Sequence, residues 1–238
     1  MPAPENVLPI ESAARAPARA VPRPGGHAGA SPELVVAREP FHPCAEELRA
    51  LRTQLQIRWY NAGATRRALA IASPGAGEGR SYVAANLAVA FAQLGERTLL
   101  VDADLRAPRQ HLLFGAPASD GLSALLAGEA DLRALVPLAD FGPLWLLPAG
   151  ARPPNPLELL ARPALPGLLH DLRAEFDVVL FDTPPARRCA DAQCVAFRAG
   201  HALVLARRHH TRLGDAGAVV RELGDTGARV LGTVCNAF

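Results

Sequence analysis

The sequence predicts an α/β protein: a doubly wound, mostly parallel sheet with helices on both faces. Three observations lead there. From Arg67 onward, short apolar runs alternate with longer helical patterns. The runs are apolar at successive positions rather than at every second one, as strands covered on both faces require. Three of them end in a glycine-rich or aspartate-bearing turn, and in open parallel sheets the turns after the strands' C-terminal ends are where ligands bind.

The chain has 238 residues, 50% hydrophobic and 20% charged, enough for one such core beside a shorter extension. Residues 1–40 hold eight of the 22 prolines, as in ARAPARAVPRPGG. With no apolar period they read as a flexible, disordered arm. In residues 41–66 the character changes. Leu48, Leu51, Leu55 and then Ile57 or Trp59 recur near helical spacing, with glutamate early and arginine late, so a helix is expected over about 44–59.

Residues 67–238 form the expected α/β domain. ALAIAS (68–73) is the first strand, and SYVAANLAVAFAQLG after its glycine loop is a helix closed by Gly95. RTLLVDAD (97–104), LWLLPAG (144–150), DVVLFDTPP (177–185), HALVLAR (201–207) and ARVLGTVCN (228–236) are the remaining strands. Helices are expected around 121–127, 157–174, 190–198 and 215–224.

Net charge is +2, from 25 basic and 23 acidic residues, so charge gives no case for nucleic acid. All the basic residues are arginine. No apolar run approaches the ~18 residues of a spanning helix, and no secretory h-region opens the chain. Cys44, Cys189, Cys194 and Cys235 lack metal-ligand spacing, so reduced thiols in a cytoplasmic protein are expected.

The glycine loop SPGAGEGRS, Ser73–Ser81, lies between a predicted strand and a predicted helix, the context of a phosphate loop. Gly75, Gly77 and Gly79 let backbone N–H groups approach phosphate oxygens, and the helix N-terminus adds its dipole to the same anion. Ser81 stands where a hydroxyl ligand to Mg²⁺ belongs. Pro74 replaces the first glycine of the strict pattern and Arg80 its lysine. Asp102 and Asp104 follow the second strand, and Asp182 ends the VVLF strand, on the sheet edge that carries the loop. Such carboxylates suit Mg²⁺, directly or through water.

SPGAGEGRS, LLVDADLR and VVLFDTPP, in that order, resemble the Walker A, Walker A′ and Walker B motifs of bacterial protein tyrosine kinases of exopolysaccharide and capsule synthesis. That family has a MinD/ParA-like P-loop NTPase fold. GLSALLAG (121–128), LLPAGARPPNPLELL (146–160) and the last strand with Asn236 extend the resemblance from about Glu46 to Asn236, most similar to the EpsG-type branch. Ala76 stands in place of the family's second loop proline. Glu46-x-x-Arg49-x-x-Arg52 matches the family's ExxRxxR motif of ring-like self-association.

The resemblance implies an ATP- and Mg²⁺-dependent tyrosine kinase. Gly75, Ala76, Gly77, Glu78, Gly79, Arg80, Ser81 and Tyr82 would surround the nucleotide, with Asn236 reading the adenine edge. Ser81, Asp182 and Asp102 would serve the metal. Asp102 would orient or deprotonate the tyrosine hydroxyl or bind a metal water, and Asp104, Arg80 and Arg106 would complete the catalytic set. It also implies a membrane chain-length determinant as partner, whose cytosolic tail recruits the protein to the inner face of the membrane and activates it. The chain has two tyrosines and reaches Phe238 without a tyrosine cluster. The expected acceptor is therefore Tyr60 or a tyrosine of another protein, with Tyr82 read as packing. The rival expectation is a nucleotide-binding assembly module of the same machinery, a weak ATPase or pseudokinase.

Overall fold

A computed structural model of the chain describes residues 29–60, 67–117 and 120–237. Seven strands form one sheet: β1 (Ala68–Ala72), β2 (Thr98–Asp102), β3 (Val136–Pro137), β4 (Leu144–Leu147), β5 (Val178–Asp182), β6 (His201–Arg207) and β7 (Arg229–Asn236). Their order is β3-β4-β2-β5-β1-β6-β7, and every pairing is parallel except β3 with β4. This is the doubly wound sheet expected from the sequence. The short antiparallel β3 is an addition, too brief to leave a sequence signal.

Side chains alternate across the central strands and divide the core into two layers. Ala68, Ala70, Ala72, Val179 and Phe181 face one helical layer: α5 (Leu122–Ala127), α6 (Pro156–Ala161), α7 (Ala164–Glu175), α8 (Asp191–Ala199) and α9 (Leu213–Asp225). Leu69, Ile71, Leu100 and Leu180 face the other, built by α1 (Val35–Arg38), α2 (Pro43–Leu55), α3 (Arg80–Ala92) and α4 (Gln110–Phe114). The helix expected over 157–174 is two helices, α6 and α7. Pro163 disfavours a helical residue before it, and Arg162 is extended, with ψ 152°.

From Val83 to Ala92 every residue of α3 is buried, so that helix needs cover on all sides. Part of the cover comes from residues expected to be disordered. Residues 29–40 form a strap rather than a free arm: Ala30, Leu34 and Val36 are buried and α1 packs on α3. Three buried apolar side chains in a proline-rich context carry no period, which hides the strap from sequence reading. Residues 1–28 lie outside the described residues. Asn86 fixes the strap, accepting from the Val36 N–H (3.1 Å) and donating to the Glu33 carbonyl (2.9 Å).

The helix expected over 44–59 is α2 followed by a wider π-type turn, Gln56–Tyr60, which seats Trp59 against Phe91 and His201. Residues 61–66 lie outside the described residues. Of the ExxRxxR side chains, Glu46 and Arg49 pair with each other on the exposed side. Arg52 instead turns inward and donates to the Ala90 carbonyl of α3 (3.1 Å). The three charges thus divide into a surface pair and an inward tie rather than one free ridge.

Asn86→Ala leaves a buried N–H and a carbonyl without their partners. It is expected to destabilise the protein by about 2–4 kcal/mol and to speed proteolysis within residues 29–40, measured by denaturant melts and timed digestion.

Candidate functional site

β1, β5 and β2 are neighbours in the sheet, so their C-terminal ends bring three sequence motifs together. The Ser73–Ser81 loop follows β1. Gly77 (φ 71°) and Gly79 (φ 92°) take left-handed backbone that other residues rarely adopt, and Gly79 caps α3. The first N–H groups of α3 therefore face the turn without partners inside the helix. Above them opens a cleft of about 260 Å³, bordered by the loop, Tyr82, Asp104, Arg106, Arg188 and Cys189.

The loop's own side chains hold its shape. Glu78 is buried; its carboxylate accepts from the Gly75 N–H (2.7 Å) and from the Thr211 hydroxyl in the turn after β6. Arg80 is also buried. Its guanidinium donates through Nε to the Thr183 carbonyl (2.7 Å) and through one Nη to the Gly75 carbonyl (2.6 Å) and the Ser73 hydroxyl. Burial lowers its pKa, opposed by Asp182 and Asp104. Arg80 borders the cleft, but the structure anchors it to the protein instead of leaving it free for an incoming anion.

Asp102 and Asp182 are register partners on adjacent strands, and both are fully buried. Asp102 accepts from the Arg109 and Gln110 N–H groups, each at 2.9 Å, and from Asp104 N–H at 3.3 Å. Asp182 accepts from Gln110 Nε2 (2.7 Å) and from the Ser81 hydroxyl, while its Oδ1 is buried with no partner. Burial raises both carboxyls, and the Asp182 charge adds to the effect on Asp102, pushed up to about 8. An orphaned carboxylate oxygen beside a hydroxyl and a second acid fits a divalent cation, which takes one or two carboxylates and completes its shell with water and phosphate oxygens. Ser81 and Asp182 would hold Mg²⁺ there, with Asp102 behind them.

Asp102 does not border the cleft. Asp104 does, and it is shaped by an Asx turn accepting from the Arg106 (3.2 Å) and Ala107 (2.9 Å) N–H groups. Arg106 forms a two-pronged ion pair with buried Asp191 at the start of α8 (2.8 and 3.0 Å), which holds its charge above the ordinary arginine value. Asn236 lies at the opposite end of the loop, 3.4 Å from the Glu78 carbonyl. Tyr82 is half-buried against α3's surroundings, and burial raises its pKa to about 12.

Tyr60 is elsewhere. Its hydroxyl meets Glu96 and Arg67, which precede β2 and β1, so it lies at the strands' N-terminal ends. Burial and Glu96 both raise its pKa. β1 is five residues long, about 17 Å at ~3.3 Å per residue, so Tyr60 cannot reach the cleft of its own chain. Gln110, Thr211, Asp191 and Arg188 were not singled out from sequence. Gln110 sits in a five-residue helix with no period to detect, Asp191 and Thr211 are 85 or more residues from the groups they meet, and Arg188 lies in a turn without a motif.

A fold and site of this kind define a P-loop nucleotide-binding protein. Residues 69–238 match the CobQ/CobB/MinD/ParA nucleotide-binding domain model. The chain is 38% identical over 210 residues to EpsB of Ralstonia nicotianae, covering 86% of this chain and 27% of EpsB, so it spans about a quarter of that relative. It is 32% identical to the tyrosine-protein kinase YwqD of Bacillus subtilis, covering 85% of each. Among solved structures, the kinase domain of Escherichia coli tyrosine kinase ETK superposes with a TM-score of 0.83 at 30% identity, covering 88% of this chain and 81% of that one. MinD of Pyrococcus horikoshii in complex with Mg-ADP superposes at 0.62 with 28% identity, covering 71% and 69%. The chain belongs to the bacterial tyrosine-protein kinase family, within the CobQ/CobB/MinD/ParA class of nucleotide-binding domains.

The carboxyl pair sets a pH dependence. A carboxyl raised by folding contributes stability while it is protonated, and loses it as pH rises through its folded value, here toward about 8. Metal-free protein is expected to lose thermal stability from pH 6 to 9, by at most ~1.4 kcal/mol per pH unit for one proton. Asp102→Asn should flatten that slope. Mg²⁺ with nucleotide should stabilise more at pH 8.5 than at pH 6, since the cation takes the proton's place. Calorimetry across this range reads all three.

Proposed function

We propose that this chain is an ATP- and Mg²⁺-dependent protein-tyrosine kinase that acts with a membrane chain-length determinant to regulate exopolysaccharide polymerisation or export. The observation that carries the reading is the juxtaposition of the glycine loop with the partnerless Oδ1 of Asp182 on one sheet edge, in a chain related to tyrosine-protein kinases.

Phosphoryl transfer needs positioning and charge neutralisation more than covalent help. The loop amides from Ala76 to Ser81 and the α3 dipole take the phosphates. Mg²⁺, when held by Ser81 and Asp182, would neutralise phosphate charge. A tyrosine oxygen forms the new bond to the γ-phosphorus as the bond to the β-phosphate oxygen breaks. ADP leaves with that electron pair, and the phenolic proton passes to a carboxylate. Asp104 borders the cleft and suits the proton-accepting place that the sequence reading gave to Asp102. Asp102, behind it, fixes the start of α4 and stands beside the metal carboxylate.

The acceptor in this reading is a tyrosine from another polypeptide, either Tyr60 of a second copy or a partner's residue. Assembly would place the exposed Glu46–Arg49 pair against a neighbour. In this reading the chain-length determinant's cytosolic tail brings the chain to the membrane. A nucleotide-responsive assembly module is the second reading, favoured by the anchoring of Arg80 and the distance of Tyr60 from the loop.

Incubation with Mg²⁺ and γ-labelled ATP, with and without the partner's tail, separates the two. The kinase reading expects label on tyrosine, absent in Asp182→Ala. Bound nucleotide without labelled protein would sink it in favour of the assembly module. Arg49→Ala is expected to reduce assembly size in light scattering with little change in melting temperature. Arg52→Ala, which removes an inward tie, should lower the melting temperature by a few degrees, as the loss of ~1 kcal/mol does.

A further inference from the structure

Four arginines border the phosphate cleft: Arg80, Arg106, Arg109 and Arg188. Three are committed to the protein. Arg80 is tied down through Nε and one Nη. Arg106 is locked fork to fork onto Asp191. Arg109 reaches Glu33 of the strap at 2.6 Å. Arg188 is exposed and, among the described residues, its side chain has no hydrogen bond or ion pair.

Its position, by contrast, is fixed. Arg188 belongs to the turn after β5, and its N–H donates to the Pro185 carbonyl at 3.0 Å. The same turn is strapped to the start of the glycine loop, Ala186 N–H to Ser73 carbonyl (2.9 Å) and Arg187 N–H to Pro74 carbonyl (3.2 Å). The Arg187 side chain is drawn away to Asp215 on α9. An exposed guanidinium is thus mounted on a hydrogen-bonded turn at the border of the cleft, with no partner among the described residues.

The lining of the cleft says which part of the nucleotide Arg188 meets. Arg188 follows Asp182 by six residues and borders the same cleft as Ser81, the hydroxyl expected to serve the metal. In phosphoryl transfer the metal would serve the terminal phosphates, so a guanidinium that shares the cleft with Ser81 would stand toward that end. We propose that Arg188 binds the terminal phosphate of ATP and is the residue by which this site distinguishes ATP from ADP. It rests on the nucleotide-binding reading above. The charge that a loop lysine would supply comes here from a different segment, in a chain that has no lysine.

The test is equilibrium binding of ADP and of a non-hydrolysable ATP analogue, each with Mg²⁺, by calorimetry on the wild-type chain and on Arg188→Gln and Arg188→Lys. A charge-assisted contact made only by the terminal phosphate is worth about tenfold or more in affinity. Arg188→Gln is therefore expected to lose about tenfold for the ATP analogue and to stay within about twofold for ADP, with Arg188→Lys between it and the wild type. Equal losses for both nucleotides would overturn the assignment, because they would put Arg188 on the inner phosphates or on the fold. An unchanged ratio would overturn it as well. If the wild-type chain bound neither nucleotide, the site reading would fall first and the role of Arg188 with it.

Discussion

Two carboxyl groups, Asp102 and Asp182, are forced side by side at the ends of neighbouring strands and sealed from solvent. Like charges in a buried setting cannot both ionise without compensation, so the surroundings must supply protons, donors or cations. Much of the site can be understood as that supply. The backbone of Arg109 and Gln110, the Gln110 amide, the Ser81 hydroxyl and the Arg80 guanidinium all act on one acid or the other. One oxygen of Asp182 still goes without. A folded protein that keeps such a pair carries a standing electrostatic cost. A divalent cation removes it.

Arginine in place of lysine changes how the phosphate loop is built. Lysine is a compact point charge on a flexible stem, whereas arginine is a planar fork that makes several directed hydrogen bonds at once. At position 80 the fork bridges the loop's first turn and the carbonyl after β5. It joins the ends of β1 and β5 and fixes the spacing between the loop and Asp182. Glu78 completes the mounting on the other side by joining the loop to Thr211. The loop is therefore preformed between two struts, and the entropy of ordering it falls on folding rather than on binding.

The strands and the three motifs were legible because their signals are local. A fully buried strand must be apolar throughout, and a phosphate loop must place glycine where backbone is left-handed. Gly77 and Gly79 satisfy that need in the sequence and in the structure. What escaped was set by tertiary partners. Nothing in a proline-rich segment announces that Leu34 and Val36 will cover α3, because the demand comes from α3's apolar circumference. Arg106 reads like a free cation until Asp191 is brought to it from 85 residues away. The different surroundings of Asp102 and Asp104 have the same origin. Two carboxylates two residues apart look equivalent, and both are buried, but only the bend after β2 brings Asp104 and not Asp102 to the border of the cleft.

α4 gathers these threads. Its first N–H groups hold Asp102, its Gln110 side chain joins Asp182 to the Ser81 carbonyl, and near its end the Leu113 carbonyl receives the N–H of Ser31 from the strap (2.8 Å). Five residues make too short a helix to be stable alone. α4 exists because the acids anchor one end and the strap the other. A change of charge on the carboxyl pair acts on hydrogen bonds that α4 itself donates, and a displaced strap loosens the helix that orients Asp182. Residues 29–40 are thus within one short helix of Asp182. The same strap carries Glu33, which pairs with Arg109 beside the cleft. Two separate contacts, one through α4's backbone and one through an ion pair, therefore join the chain's first described residues to the chemistry at the sheet edge.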